Sequence, residues 1–140
     1  MVLIASGSSD NGICIQPPLG SGDCPDDHNP PQLFRDYLWV GSHNALPRLV
    51  SQWDNYKSVI RENAMKYYAV VTDDDSDWSA PYFTSQRNAQ DPAGSDNWTF
   101  FGLFCKNRDS GGVYSTLVTQ TSGLHVEPVS YTHLTLPTKA

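Results

Sequence analysis

The sequence predicts an α/β fold, a mostly parallel sheet with helices on both faces, and three observations predict it. Helical and strand patterns alternate after residue 43. The two best strands, Met65–Thr72 and Trp98–Cys105, are apolar almost throughout, which is the pattern of strands buried on both faces. The segments between and after them carry apolar residues at helical spacing. Together these specify βαβ units and an open, Rossmann-like sheet. Ligands of such sheets bind outside the carboxyl ends of the strands.

Each element has a local reason. Met1–Ala5 is an apolar run, too short and too abruptly ended by Ser6-Gly7-Ser8-Ser9 to be a signal peptide, and it reads as a buried strand at the start of a chain that has lost its beginning. Residues 16–36 read as irregular, because Pro17-Pro18, Pro25 and Pro30-Pro31 forbid helix or central strand. Leu38-Trp39-Val40 is a short apolar segment, followed by the turn Gly41-Ser42-His43-Asn44. A helix starts near Asn44, with Leu46, Leu49, Val50 and Trp53 on one face and Pro47 tolerated in its first turn. A second short helical or turn segment covers Tyr56–Glu62. After the strand Met65–Thr72, Ser79 caps a helix running to about Ala89, and Asp91–Asp96 breaks it. A last helix spans Val113–Ser122, Gly123 ends it, and Leu124-His125-Val126 is a final short strand.

Composition narrows the function classes. The chain has 140 residues, enough for one domain with its own core, and a formal charge of -6. That balance argues against nucleic acid, whose phosphates require a basic face. No apolar run approaches the ~20 residues that span a bilayer. Cys14 and Cys24 flank a loop without periodicity, and a bridge between them would contribute roughly 2–3 kcal/mol in the chain-entropy model. Such a disulfide requires an oxidising compartment, which places the parent protein outside the cell or in the cell envelope. Cys105 reads as a small buried hydrophobe. His28, His43, His125 and His133 lack the spacing of a helical metal pair.

The most informative segment is Asp73-Asp74-Asp75-Ser76-Asp77, four carboxylates in five residues at the carboxyl end of the strongest strand. Mutual repulsion means that they are solvated or neutralised by a cation. Asp73, Asp75 and Asp77 match the first ligands of an EF-hand loop, but Trp78 stands where that loop needs Gly and Thr84 where it needs Glu. A phosphotransfer reading takes Asp73 as nucleophile and Asp75 as general acid. It resembles the D-x-D-x-[TV] motif of haloacid-dehalogenase-like hydrolases, with Asp77 at the Thr/Val position. A third reading joins one carboxylate of this loop to the hydroxyl of Ser42 in a sparse hard-cation site. Mg²⁺ favours such sites, keeping several waters and leaving room for an acidic group on a partner.

Several segments together extend this third reading. Val2–Ser6 (VLIAS), Gly41-Ser42-x-x-Ala45-Leu46, Val70–Ser76 (VVTDDDS) and Leu117–Gly123 (LVTQTSG) occur in an order that resembles the von Willebrand factor type A domains of secreted bacterial proteins. The resemblance runs from about residue 2 to 126, within a domain of residues 1–127. It implies a non-enzymatic adhesion module that binds a protein ligand through a metal-ion-dependent adhesion site. Asp73 and Ser42 would ligate Mg²⁺ (or Ca²⁺ or Mn²⁺), and an acidic side chain of the partner would complete the shell. The family's Asp-x-Ser-x-Ser element has no counterpart here, since Ser6-Gly7-Ser8-Ser9 lacks the leading Asp. The resemblance therefore implies an incomplete sheet, lacking its first strand and that strand's helix, and a weak or lost cation site. Without the central strand, Val2–Ala5 and Lys66–Thr72 would have to pair with each other or leave their ladders open. Residues 128–140 stand outside the pattern and resemble a peptide that recurs at the ends of unrelated chains translated from assembled sequencing reads, so they are expected to be a non-native tail.

Overall fold

The strongest strand, β3 (Lys66–Val71), is the edge of a three-stranded parallel sheet in the order β3-β4-β5, with β4 at Trp98–Leu103 and β5 at His125–Val126. The structure is a computed structural model that describes residues 2–4, 15–23, 33–36 and 38–128. β3 and β4 are joined by helix α3 (Ala80–Gln90), and β4 and β5 by helix α4 (Val113–Gln120). These are two consecutive βαβ units, which confirms the mixed α/β class with parallel strands. The register pairs Lys66 with Trp98 and Val71 with Leu103, and β5 adds His125 beside Gly102. Helix α1 (Ala45–Ser51) and the single-turn helix α2 (Trp53–Tyr56) precede the sheet.

The core lies on one face of that sheet. Tyr68, Val70, Trp98 and Phe100 point from β3 and β4 into a cluster with Phe83 of α3, Tyr114, Leu117 and Val118 of α4, and Leu46 and Val50 of α1. The rings meet edge to face: Tyr68 and Phe83 at 6.3 Å, Tyr68 and Trp98 at 5.8 Å, Phe83 and Trp98 at 6.0 Å. On the other face Tyr67, Ala69 and Val71 are exposed. The expectation that β3 is buried on both faces is thus corrected, because its burial alternates strictly. The outward residues are still apolar because they pack sideways along the sheet, Tyr67 stacking on Phe101 at 5.6 Å.

Two further expectations are corrected. Phe34–Asp36 forms a short strand, β2, inside the stretch that the prolines marked as irregular. The last proline is Pro31, so these three residues keep every N–H and pair in parallel with β1 (Val2–Ile4). β1 therefore adds to β2, and it does not take up β3, whose outer edge carries no strand among the described residues. Leu38-Trp39-Val40 is irregular, with Trp39 exposed. Cys14, Cys24 and residues 129–140 lie outside the described residues, as does the Ser6–Ser9 segment. Cys105 is a free, half-buried thiol.

The ends of the helices follow local chemistry. Ser79 caps α3, its hydroxyl accepting from the Tyr82 N–H at 3.4 Å. After α4 it is Ser122, with φ of 54°, that takes the left-handed conformation, and Gly123 serves a different need. A Cβ at Gly123 would collide with the carbonyl of Phe100, so glycine lets the chain turn tightly against β4 before β5 begins.

At the amino end of the sheet sits a buried charge cluster. The Asp91 carboxylate lies 3.0 Å from Lys66 Nζ and 3.0 Å from Arg87 Nη2, all three side chains nearly inaccessible to water. Arg87 also donates to the Gly94 carbonyl at 2.7 Å and to the Tyr68 hydroxyl at 3.3 Å, and its guanidinium lies over the rings of Tyr68 and Trp98. Gly94 is required here, since a Cβ would run into the Asp91 carboxylate and the Lys66 ammonium. Removing one partner of a buried pair strands the other charge, at a cost of about 3–5 kcal/mol. Asp91→Asn is therefore expected to lower the urea midpoint of unfolding by a corresponding amount, whereas Asp54→Asn, in an exposed pair with Lys57, leaves it within measurement error.

Candidate functional site: the rim at the carboxyl ends of the strands

Three loops meet beyond the carboxyl ends of β3 and β4: residues 41–44 before α1, residues 72–79 after β3, and residues 104–112 after β4. The first two are joined at Thr72. Its hydroxyl donates to the Ser42 carbonyl at 3.2 Å and accepts the Asp74 N–H at 3.2 Å. The Asp77 N–H donates to the His43 carbonyl at 2.8 Å, a second tie between the same loops. The His43 ring completes the contact, Nε2 lying 3.3 Å from Asp74 Oδ2 and Nδ1 3.1 Å from the Asp75 carbonyl.

Asp75 joins the second loop to the third. Its Oδ2 accepts from the Ser110 hydroxyl at 2.8 Å and from the Gly111 N–H at 2.6 Å, and its Oδ1 accepts from the Ser76 N–H at 2.9 Å. Partial burial alone would push this carboxyl up. The donors at Gly111, Ser76 and Ser110 outweigh that effect and hold it below the ordinary value of 3.8. Asp109, nearly buried, satisfies the start of α4: its carboxylate accepts from the Tyr114 and Ser115 N–H groups at 3.2 and 2.9 Å and from the Ser115 hydroxyl at 2.7 Å. The Tyr114 hydroxyl is buried, and burial pushes its pKa up to about 12.

The two residues singled out from the sequence are thus on one rim. Ser42 is exposed on the first loop, and Asp73, also exposed, follows Thr72, which binds the Ser42 carbonyl. The Asp73 carboxylate makes no hydrogen bond or ion pair with the described residues, unlike those of Asp74 and Asp75. Sequence reasoning missed Asp109, Ser110 and Gly111, which form the third loop. The available signal was an Asp ahead of Gly111-Gly112 at the start of a helical pattern, which is capping chemistry. It also missed His43 as the partner of Asp74.

The donor chemistry of Asp73 and Ser42, one carboxylate and one hydroxyl, suits a hard cation. The number of ligands is small: among the described residues no group of three or more His, Cys, Asp or Glu side chains converges. In comparisons with known proteins, no family model, curated protein or solved structure matches the chain.

The hydrogen bonds to ionised Asp75 imply a pH dependence with a definite sign. A carboxyl whose folded pKa is depressed contributes stability that is complete above its unfolded value, here 3.8, and that is lost as pH falls through the lower folded value. Asp75→Asn is therefore expected to be less stable than the wild type at neutral pH. The difference shrinks in acid below 3.8, as followed by circular dichroism during pH titration.

Proposed function

We propose that the chain is a non-enzymatic protein-binding module of the von Willebrand factor type A kind, which engages its partner through the rim described above. The observation that carries this reading is the Thr72–Ser42 hydrogen bond, because it brings the two loops bearing Ser42 and Asp73 together at the carboxyl ends of a parallel sheet. In this reading Asp73 and Ser42 hold a divalent cation, Mg²⁺ or its substitutes Ca²⁺ and Mn²⁺. The cation supplies positive charge between Asp73 and an acidic side chain of the protein partner. Asp73 is available for this role because it is exposed and its carboxylate is uncommitted among the described residues, while Asp74 and Asp75 are engaged in holding the loops. Two protein ligands leave most of a six-oxygen shell to water, so the affinity is weak. An exported or cell-envelope setting belongs to the same proposal and rests on the spacing of Cys14 and Cys24. No helix among the described residues is long and apolar enough to cross a membrane.

The phosphohydrolase reading draws no support from the geometry. Its general acid would be Asp75, and that carboxylate accepts three hydrogen bonds and is held in its ionised form.

Isothermal titration with MnCl₂ and MgCl₂ tests the proposal. Weak, saturable binding is expected in the wild type, lost in Asp73→Ala and reduced in Ser42→Ala. Equal binding in all three proteins, or none in the wild type, contradicts it. In parallel, turnover of p-nitrophenyl phosphate is expected to stay at the buffer rate. Turnover that disappears in Asp73→Asn would restore the phosphohydrolase.

A further inference from the structure

Beside the rim, helix α1 and the end of the 72–79 loop line an open cleft of about 420 Å³, within the size range of small-ligand pockets. Its walls carry Asn44, Arg48 and Ser51 on one side and Asp77 and Trp78 on the other, with the buried Val50 among the residues that line it. Two of these groups are charged and uncommitted. The Arg48 guanidinium makes no hydrogen bond or ion pair with the described residues, and its Nε is fully buried without a partner. The Asp77 carboxylate is likewise unpaired among the described residues, and no ion pair joins it to Arg48 although both line the same cleft. Trp78 is held in place, its ring edge-to-face with Tyr82 at 4.7 Å and its backbone N–H donating to the Ser76 hydroxyl.

A cleft lined by a cation and an anion that are unpaired among the described residues, with an aromatic-aliphatic lining, suits a ligand with the complementary charges and an apolar body. We propose that it binds a zwitterion of the α-amino-acid class, either a free amino acid or a peptide of a few residues. The carboxylate goes to Arg48, the ammonium to Asp77 and the apolar side chain against Trp78 and Val50. A purely anionic ligand is disfavoured, because Asp73, Asp74 and Asp75 sit on the same loop as Asp77. A purely cationic one leaves Arg48 unmatched. The arrangement uses neither Asp73 nor Ser42, so it stands or falls apart from the cation-bridged rim.

The test is titration calorimetry of the full chain with L-phenylalanine, L-leucine and glycyl-phenylalanine, alongside 3-phenylpropionate, which lacks the ammonium, and phenethylamine, which lacks the carboxylate. At least one of the three zwitterions is expected to bind. The two single-charge analogues are expected to bind roughly tenfold to a hundredfold more weakly, the loss of one charge-assisted contact. Arg48→Gln and Asp77→Asn are each expected to reduce zwitterion binding over the same range while far-ultraviolet circular dichroism stays unchanged. Asp73→Ala is expected to leave it intact. Absence of binding by all three zwitterions overturns the inference, as do equal affinity for 3-phenylpropionate and binding that survives both cleft substitutions.

Discussion

Four aspartates in five residues do not sit together at the end of a strand without compensation, and the way this fold provides it organises everything around the rim. Two of the four are held by local contacts. Asp75 takes hydrogen bonds from two loops, and Asp74 takes the Asp75 N–H and faces the His43 ring. Hydrogen bonds to an ionised acceptor are stronger than neutral ones. The repulsive segment therefore becomes the point to which neighbouring loops are tied. The carboxylates of Asp73 and Asp77 make no such contact among the described residues; Asp73 follows Thr72, which binds the Ser42 carbonyl, and Asp77 lines the cleft with Arg48. The functional proposals both start from this division of labour within one loop.

The opposite end of the sheet is held by a different device. Lys66, Arg87 and Asp91 are buried together, and Arg87 reaches the carbonyl of Gly94 and the rings of Tyr68 and Trp98. The start of β3, the end of α3 and the start of β4 are thereby fixed relative to one another. The aromatic core between the two ends then sets the spacing of the helices over the sheet. Rigidity at the amino end leaves the loops at the carboxyl end free to carry chemistry, the usual arrangement in open α/β sheets.

Much of the architecture was legible in the residues. The runs at Lys66–Val71 and Trp98–Leu103 are the two long strands, Ser79 caps α3, and helical spacing locates α1 and α4 within a few residues. What escaped has physical causes. An unbroken apolar strand carries the same signature whether its second face is covered or packs sideways, so the exposure of Tyr67 and Val71 could not be read. Phe34–Asp36 was hidden by the prolines before it. At the rim, Asp73 and Ser42 were recognisable because strand ends and turn residues announce themselves. The role of Asp75 depends on hydrogen bonds across as many as 36 residues of chain, which no local pattern records, whereas Asp109 reaches forward over a glycine turn and left only the weak signal of an Asp ahead of Gly111-Gly112.

The account rests on a single claim, that the loops carrying Ser42, Asp73 and Gly111 converge at one end of a parallel sheet. Nuclear Overhauser effects in an isotopically labelled sample measure this most directly. The expected result is a set of cross-peaks from Thr72 to Ser42 and His43, and from the Gly111 amide to the Asp75 side chain, together with parallel-register contacts between β3 and β4. Cross-peaks that separate these loops, or that show β3 and β4 running antiparallel, would contradict it.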